Sequence, residues 1–260
     1  MSTYALITGA SSGIGEEFAH KYAKDGYHLV LVARSTEKLV ALGKLLENNY
    51  GITTYSLSMD LTEEYSAQKI FAELNALGVE LDVLINNAGF ATNGRLTDTS
   101  LEMQHEQIML NSVSLMDLCY LFLQQKMTAG KQAGTIINIA STAAFHPIPF
   151  MAIYAATKSF VLSFTEGLHK EYSPLGFKII AVCPGATDTN FFKNGGVSFG
   201  AMRTPADVVK TVHKGLKKQK AAVVDGSQNI FSSVILPKIL SRKSMLALVS
   251  KIMQTRIKSA

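Results

Sequence analysis

The sequence predicts a single doubly wound α/β domain, Rossmann-like, built on a seven-stranded parallel sheet. Three observations carry this. Short β-branched or aliphatic runs alternate with longer segments of helical spacing; a glycine-rich turn after the first run opens an amphipathic stretch; and no Pro/Gly/Ser-rich linker or internal repeat divides the chain. The 260 residues, 47% hydrophobic and 17% charged, supply enough apolar material for one large core.

The strand candidates are Ala5–Thr8, Leu29–Ala33, Thr53–Leu57, Val83–Asn86, Thr135–Ala140, Lys178–Cys183 and Ala221–Val224. Helical segments are expected to begin near Gly13, Thr36, Thr62, Ser100, Phe150 and Pro205. Strand and helix alternate, and right-handed crossovers then set every strand's C-terminal end on one edge, where such sheets bind ligands. The residues just after the strands are therefore the ones to read for function. The domain is expected to span 1–229, with 230–260 a helical extension.

Composition excludes several classes. Cys119 and Cys183 are too few and too far apart for a disulfide framework, and no Cys/His cluster has zinc spacing, so no metal is expected. No apolar run approaches the ~20 residues of a membrane span, and Tyr4–Ile7 is too short for a signal peptide, which points to the cytoplasm. The net charge of +5 conceals an asymmetry: residues 1–209 carry 14 Lys+Arg and 19 Asp+Glu, and residues 210–260 carry 11 and 1. That basic stretch contains one aromatic residue, Phe231, so nucleic acid is not the expected partner.

After the first strand comes Thr8-Gly9-Ala10-Ser11-Ser12-Gly13-Ile14-Gly15, followed by Phe18, Ala19, Tyr22 and Ala23 on one helical side. Glycines let the backbone approach a pyrophosphate, and a helix N-terminus offers it free N–H groups and partial positive charge. The spacing is G-x-x-x-G-x-G rather than G-x-G-x-x-G. It resembles the cofactor motif of the short-chain dehydrogenase/reductase family, in the branch of about this chain's length. Further motifs of that family follow in order over roughly residues 3–225: Asp60 with Leu61 after the third strand, Asn86-Asn87-Ala88-Gly89 after the fourth, Asn111 within a helix, Ser141 after the fifth, Tyr154 with Lys158, and Pro184-Gly185 after the sixth.

Tyr-x-x-x-Lys is a cheap pattern, and Tyr65/Lys69 satisfies it as well as Tyr154/Lys158. Only Tyr154 has a serine thirteen residues upstream, Ser141; Tyr65 has Ile52 there. The i, i+4 spacing places Tyr154 and Lys158 on one helical face, where an ammonium favours phenolate and is expected to draw the phenol from ~10 toward neutrality. Beside a nicotinamide, Tyr154 would exchange the proton and Ser141 would hydrogen-bond the substrate oxygen, with Thr142 a competitor for that role. The resemblance implies that Lys158 also holds the nicotinamide ribose and that Asn111 positions a water linking the lysine to solvent. It implies adenine recognition by Asp60, although an N-cap-like role before Leu61-Thr62 is the alternative. Asn86 is expected to be structural, with Asn87, Ala88 and Gly89 at the cofactor. The resemblance assigns the carboxamide to Pro184, Gly185 and Thr189, with Thr187 a competitor.

Enzymes specific for NAD usually place a carboxylate at the end of the second strand. Here Arg34 stands there, suited to bidentate phosphate contact, so the expected cofactor is NADP(H), with Arg34 and Ser35 on the 2′-phosphate and Ser11 or Ser12 assisting. A solvent-exposed loop arginine is the alternative. The substrate is expected to be a small-molecule ketone or aldehyde, apolar or lipid-like, reduced to the alcohol or the reverse. Its walls would come from 143–151 (Phe145, His146, Ile148, Phe150, Met151), the residues after Gly89, and a lid at 190–202 containing Phe191, Phe192 and Phe199 among Gly195, Gly196 and Gly200. The competing reading is a dinucleotide-sensing regulatory protein without turnover, whose mark would be loss of the tyrosine or lysine. An isomerase or dehydratase on the same scaffold lacks room for the C-terminal substrate domain of its longer relatives.

By resemblance, a homodimer or homotetramer is expected, assembled through the helices around Asn111 and Tyr154. In Met245–Ile257, Met245, Leu246, Leu248, Val249, Ile252, Met253 and Ile257 fall on about half a helical wheel with Lys251 opposite. Such a segment docks on the domain, covering the substrate cleft or joining a partner subunit, makes peripheral contact with an anionic membrane through 230–260, or is a disordered end.

Overall fold

The computed structural model describes residues 3–130, 133–189, 191 and 202–258. Seven strands, β1 (Tyr4–Thr8), β2 (His28–Ala33), β3 (Thr54–Ser58), β4 (Val83–Asn86), β5 (Thr135–Ile139), β6 (Lys178–Cys183) and β7 (Ala222–Val224), pair in parallel in the order β3-β2-β1-β4-β5-β6-β7. Helices α1 (Gly13–Lys24), α2 (Thr36–Tyr50) and α3 (Ser66–Ala76) lie between the first four strands. After β4 come α4 (Leu101–Ile108) and α5 (Ser114–Thr128), then α6 (Ala152–Tyr172) and α7 (Pro205–Lys217). Beyond β7 the chain continues through α8 (Ser227–Ile230), α9 (Leu236–Ile239) and α10 (Arg242–Lys258).

The period-two alternation of the strands sorts the core into two layers. Leu6, Val30, Val32, Leu84 and Ile136 pack with Phe71, Phe122 and Val161 on one face; Ala5, Ile7, Leu29, Leu31 and Ile137 pack with Phe18, Leu39 and Val212 on the other. Between β4 and β5 the buried amides form a polar seam: Asn86 Nδ2 donates to Asn138 Oδ1 at 2.9 Å, and Asn138 Nδ2 to Thr165 Oγ1 at 3.0 Å. Low local dielectric makes such bonds costly to break and so fixes the pairing of these strands.

Two departures from the sequence expectation have local causes. The third helix begins at Ser66 rather than near Thr62, because Asp60 Oδ1 accepts from the Thr62 amide at 2.9 Å and hydroxyl at 2.7 Å and spends those residues in a turn. The helix expected from Ser100 is interrupted at Met109–Val113 by one wider π-type turn, and Asn111 lies in it. Such insertions re-aim side chains and concentrate at functional sites.

Candidate active site

β1 and β4 are neighbours from which the chain departs toward opposite edges, leaving a crevice at their C-terminal ends. Gly9 and Gly13 hold φ of +64° and +61° in the turn beyond β1. A Cβ on Gly9 would stand 2.8 Å from Asn87 Nδ2, one on Gly13 2.9 Å from Thr189 Cγ2, and one on Gly15 would run into the Gly9 carbonyl oxygen. The turn is bolted to β4: Thr8 Oγ1 accepts from the amides of Asn87 at 2.9 Å and Ala88 at 3.0 Å, while Asn87 Nδ2 donates to the carbonyls of Thr8 at 3.0 Å and Gly9 at 3.3 Å. Asn87 Nδ2 thus shapes the cradle. Ser12 caps α1 by position but its side chain makes no capping bond, so the first-turn N–H groups of α1 are left to an external acceptor. Ser11 and Ile14 are part-buried within the turn. This donor set fits a dinucleotide pyrophosphate.

At the end of β2, Arg34 is exposed and Ser35 begins α2 without a side-chain capping bond. Ser58 Oγ donates to the Arg34 carbonyl at 3.2 Å. Asp60 serves the turn onto Thr62 through Oδ1. Partial burial raises its carboxyl, but the Thr62 bonds and Arg34 outweigh this and hold it below the usual range. Leu61 beside it is buried.

Across the crevice, Ser141 ends β5 with Oγ accepting from the Ala143 amide at 3.1 Å, and Thr142 begins the single turn Thr142–Phe145. Tyr154 and Lys158 rise from α6, both buried, the ammonium 5.9 Å from the phenol ring centre. Burial pushes Tyr154 up to about 12 against the opposing hydrogen bond with Ser141, and burial pulls Lys158 down to about 8. The expectation that the ammonium alone draws the phenol toward neutrality is therefore corrected for the protein by itself: desolvation outweighs it, and Lys158 Nζ donates at 2.7 Å to the Ile139 carbonyl. A phenol held protonated is nonetheless suited to give a proton. Tyr65 and Lys69 lie elsewhere: Tyr65 is 67% exposed and Lys69 pairs with Glu63 at 3.0 Å.

Asn111 is locked in place. Its Nδ2 donates to the Phe90 carbonyl at 2.9 Å and Thr157 Oγ1 at 3.2 Å, and its Oδ1 accepts from the Phe90 amide at 3.1 Å. A Cβ at Gly89 would come within 2.9 Å of Asn111 Oδ1 and 3.6 Å of Lys158 Nζ, so only glycine leaves this junction open.

After β6, Pro184 is buried, and a Cβ on Gly185 would overlap the Asn229 amide. Thr187 is buried with its hydroxyl on the Gly185 carbonyl at 3.2 Å, and Thr189 Oγ1 contacts the Thr187 carbonyl at 3.4 Å. Thr189, not Thr187, abuts the glycine turn. The sequence reading missed Arg203, which closes this excursion at its base. Its amide donates to Ala186 O at 3.0 Å and its carbonyl accepts from the Asp188 amide at 2.8 Å. Its guanidinium grips fully buried Asp225 through Nε at 2.9 Å and Nη2 at 3.0 Å. One signal was available: Asp225 is the single acidic residue of 210–260.

A third apolar cluster forms over the tyrosine. Met245, Val249 and Met253 of α10 pack with Ala143, Met151 and Tyr154, joined by part-buried Ile148, Phe150 and Phe191, whose ring lies 5.9 Å from that of Tyr154. The C-terminal helix docks on the catalytic cleft. Next to it a pocket of about 270 Å³ is lined by Thr92, Gly94, Gln104, Phe150, Met151 and Ile153 among others. Phe150 holds φ +67° there, with its carbonyl fixed by the Gly94 amide at 2.9 Å. His146 is half-buried with Nδ1 unpartnered, and burial lowers its pKa. Phe145 packs against the larger core. The remainder of the expected lid, Phe192, Gly195, Gly196, Phe199 and Gly200, lies outside the described residues. No acid or histidine group that could hold a metal occurs among the described residues.

A switch-point cradle facing a buried serine, tyrosine and lysine defines the protein as a nicotinamide-dependent oxidoreductase. Residues 3–196 match the short chain dehydrogenase family model, and the chain belongs to that family. It is 30% identical over 230 residues to very-long-chain 3-oxoacyl-CoA reductase-B of Danio rerio, covering 86% of this chain and 69% of that protein. It is 32% identical over 196 residues to human 17-beta-hydroxysteroid dehydrogenase type 3, covering 74% and 62%. Its fold matches a short-chain dehydrogenase from Sphingobium yanoikuyae in complex with NADPH, at a TM-score of 0.82 and 31% identity over 94% of this chain and 95% of that one.

Proposed function

We propose that the protein is an NADP(H)-dependent reductase of apolar, lipid-like ketones or aldehydes. When bound, the nicotinamide supplies the hydride. Tyr154 gives its phenolic proton to the carbonyl oxygen, Ser141 Oγ hydrogen-bonds that oxygen as charge gathers on it, and Lys158 holds the ribose and replaces the proton through the opening at Gly89 and Asn111. The observation that carries the substrate class is the apolar packing of Met151, Met245, Val249, Met253 and Phe191 around Tyr154. The 3-oxoacyl-CoA and hydroxysteroid in the names of the two relatives accord with it.

NADP(H) rests on Arg34 at the end of β2, where no carboxylate occupies the strand tip, and on the NADPH complex of the structural neighbour. In a panel of ketones, aldehydes and secondary alcohols followed at the nicotinamide absorbance, apolar carbonyls should be turned over with NADPH. Arg34→Ala should lower kcat/KM for NADPH by about 10- to 100-fold and leave NADH nearly unchanged. NADPH binding with no turnover of any carbonyl would instead favour a sensing role, and an NADH preference would remove Arg34 from the site.

A homodimer built through α5 and α6 completes the reading. Tyr120, Met127 and Phe160 on these helices are exposed at 60%, 41% and 41%, an apolar surface that pairing would bury. Sedimentation should give twice the chain mass, and Tyr120→Glu with Phe160→Glu should return it to that of one chain.

A further inference from the structure

The C-terminal extension exposes apolar side chains and cations together, beside the stripe that it buries against Tyr154. Ile230, Phe231, Ile235, Ile239, Leu246, Leu248 and Ile252 are all exposed, Ile239 to 70% and Phe231 to 54%. Phe231, Ile235 and Ile239 recur every four residues, along one side of the helical run from α8 to α9. Among them Lys238, Arg242, Lys243 and Lys251 are exposed, and no acidic residue occurs from 226 to 260. No helix among the described residues is long and apolar enough to cross a membrane.

We infer that this surface seats the protein on an anionic lipid bilayer, with the isoleucines and Phe231 in the acyl boundary and the cations at the headgroups. Charge decides among occupants. A two-fold self-pairing would set the same cations against each other with no carboxylate in the segment to offset them. An anionic bilayer offers negative charge and an apolar boundary together. The buried stripe of Met245, Val249 and Met253 is committed to the domain, so α10 need not detach for the exposed Phe231, Ile235 and Ile239 to meet lipid.

The test uses the full chain and sedimentation with vesicles, a readout independent of turnover. Binding to phosphatidylcholine vesicles containing phosphatidylglycerol, but not to phosphatidylcholine alone, is expected, with loss in high salt. Joint replacement Lys238→Glu, Arg242→Glu, Lys243→Glu and Lys251→Glu should weaken binding by about 100-fold or more. Phe231→Ser with Ile239→Ser should weaken it at every phosphatidylglycerol fraction that binds the parent, and the thermal midpoints of both variants should stay near that of the parent, since all six side chains are exposed. Failure to bind the mixed vesicles, or undiminished binding by the charge-reversed chain, overturns the inference. A mass of twice the chain that is lost in Phe231→Ser with Ile239→Ser, without vesicle binding, assigns the surface to a second copy and overturns it equally.

Discussion

Tyr154→Phe will lower kcat for carbonyl reduction by about 10²- to 10⁴-fold, the range over which a positioned general acid acts. NADPH affinity and the thermal midpoint will change little. The reason lies in what the substitution removes. The ring stays packed against Met245, Val249 and Phe191, and Ser141 Oγ keeps the Ala143 amide at 3.1 Å; the hydroxyl goes, with its proton and its bond to Ser141. Burial holds that proton with a pKa of about 12, so the phenol is fully protonated across the neutral range. Loss confined to kcat would mark an interaction made in the transition state. Tyr65→Phe, the second tyrosine of the Tyr-x-x-x-Lys pattern, lies on the surface and will be silent. Near-normal turnover of Tyr154→Phe would remove it from the mechanism.

For Lys158 the expected result is a limb in the pH profile. Burial lowers its pKa to about 8, so the ammonium is present below that pH and lost above it. The kcat/KM for NADPH-driven reduction, which reports the free enzyme, will fall as pH rises through about 8. Lys158→Ala will lower kcat and raise the KM for NADPH together, by about 10²-fold or more in kcat/KM, because one group serves both ribose and proton. Its residual activity will lack the limb. A parent profile flat to about pH 10, the ordinary lysine range, would show that Lys158 is not desolvated as the fold implies. If only kcat responded to Lys158→Ala, the ribose contact would be wrong.

Parts of the site were legible because they are local. Thr8 to Gly15 follows a strand and opens a helix, and a run of glycines between such elements has few other uses. Ser141 and Tyr154 were separated from the Tyr65 decoy by spacing along the chain, and the fold brings Ser141, Tyr154 and Lys158 together while leaving Tyr65 exposed. Asn87 was read as a cofactor contact; its amide also ties the glycine turn to β4, a bond between residues far apart in sequence. Asp60 carried two readings, and the Thr62 bonds favour the turn. Arg203 escaped notice because its partner Asp225 lies 22 residues away, on the far side of α7.

Periods of two and near four are written residue by residue, so the alternation of strand and helix, and with it the parallel sheet and the edge on which its ligands sit, follows from the sequence. The amphipathic character of the segment after Met245 follows too, while docking and membrane contact stay open. Which side of that helix is buried depends on packing against the rest of the chain: Met245, Val249 and Met253 meet Tyr154, while Leu248 and Ile252 stay exposed. The protonation of the site depends on that packing likewise. Spacing places an ammonium near a phenol, but how far each is desolvated depends on side chains contributed by β5, α6 and α10 together, and desolvation outweighs proximity for both groups.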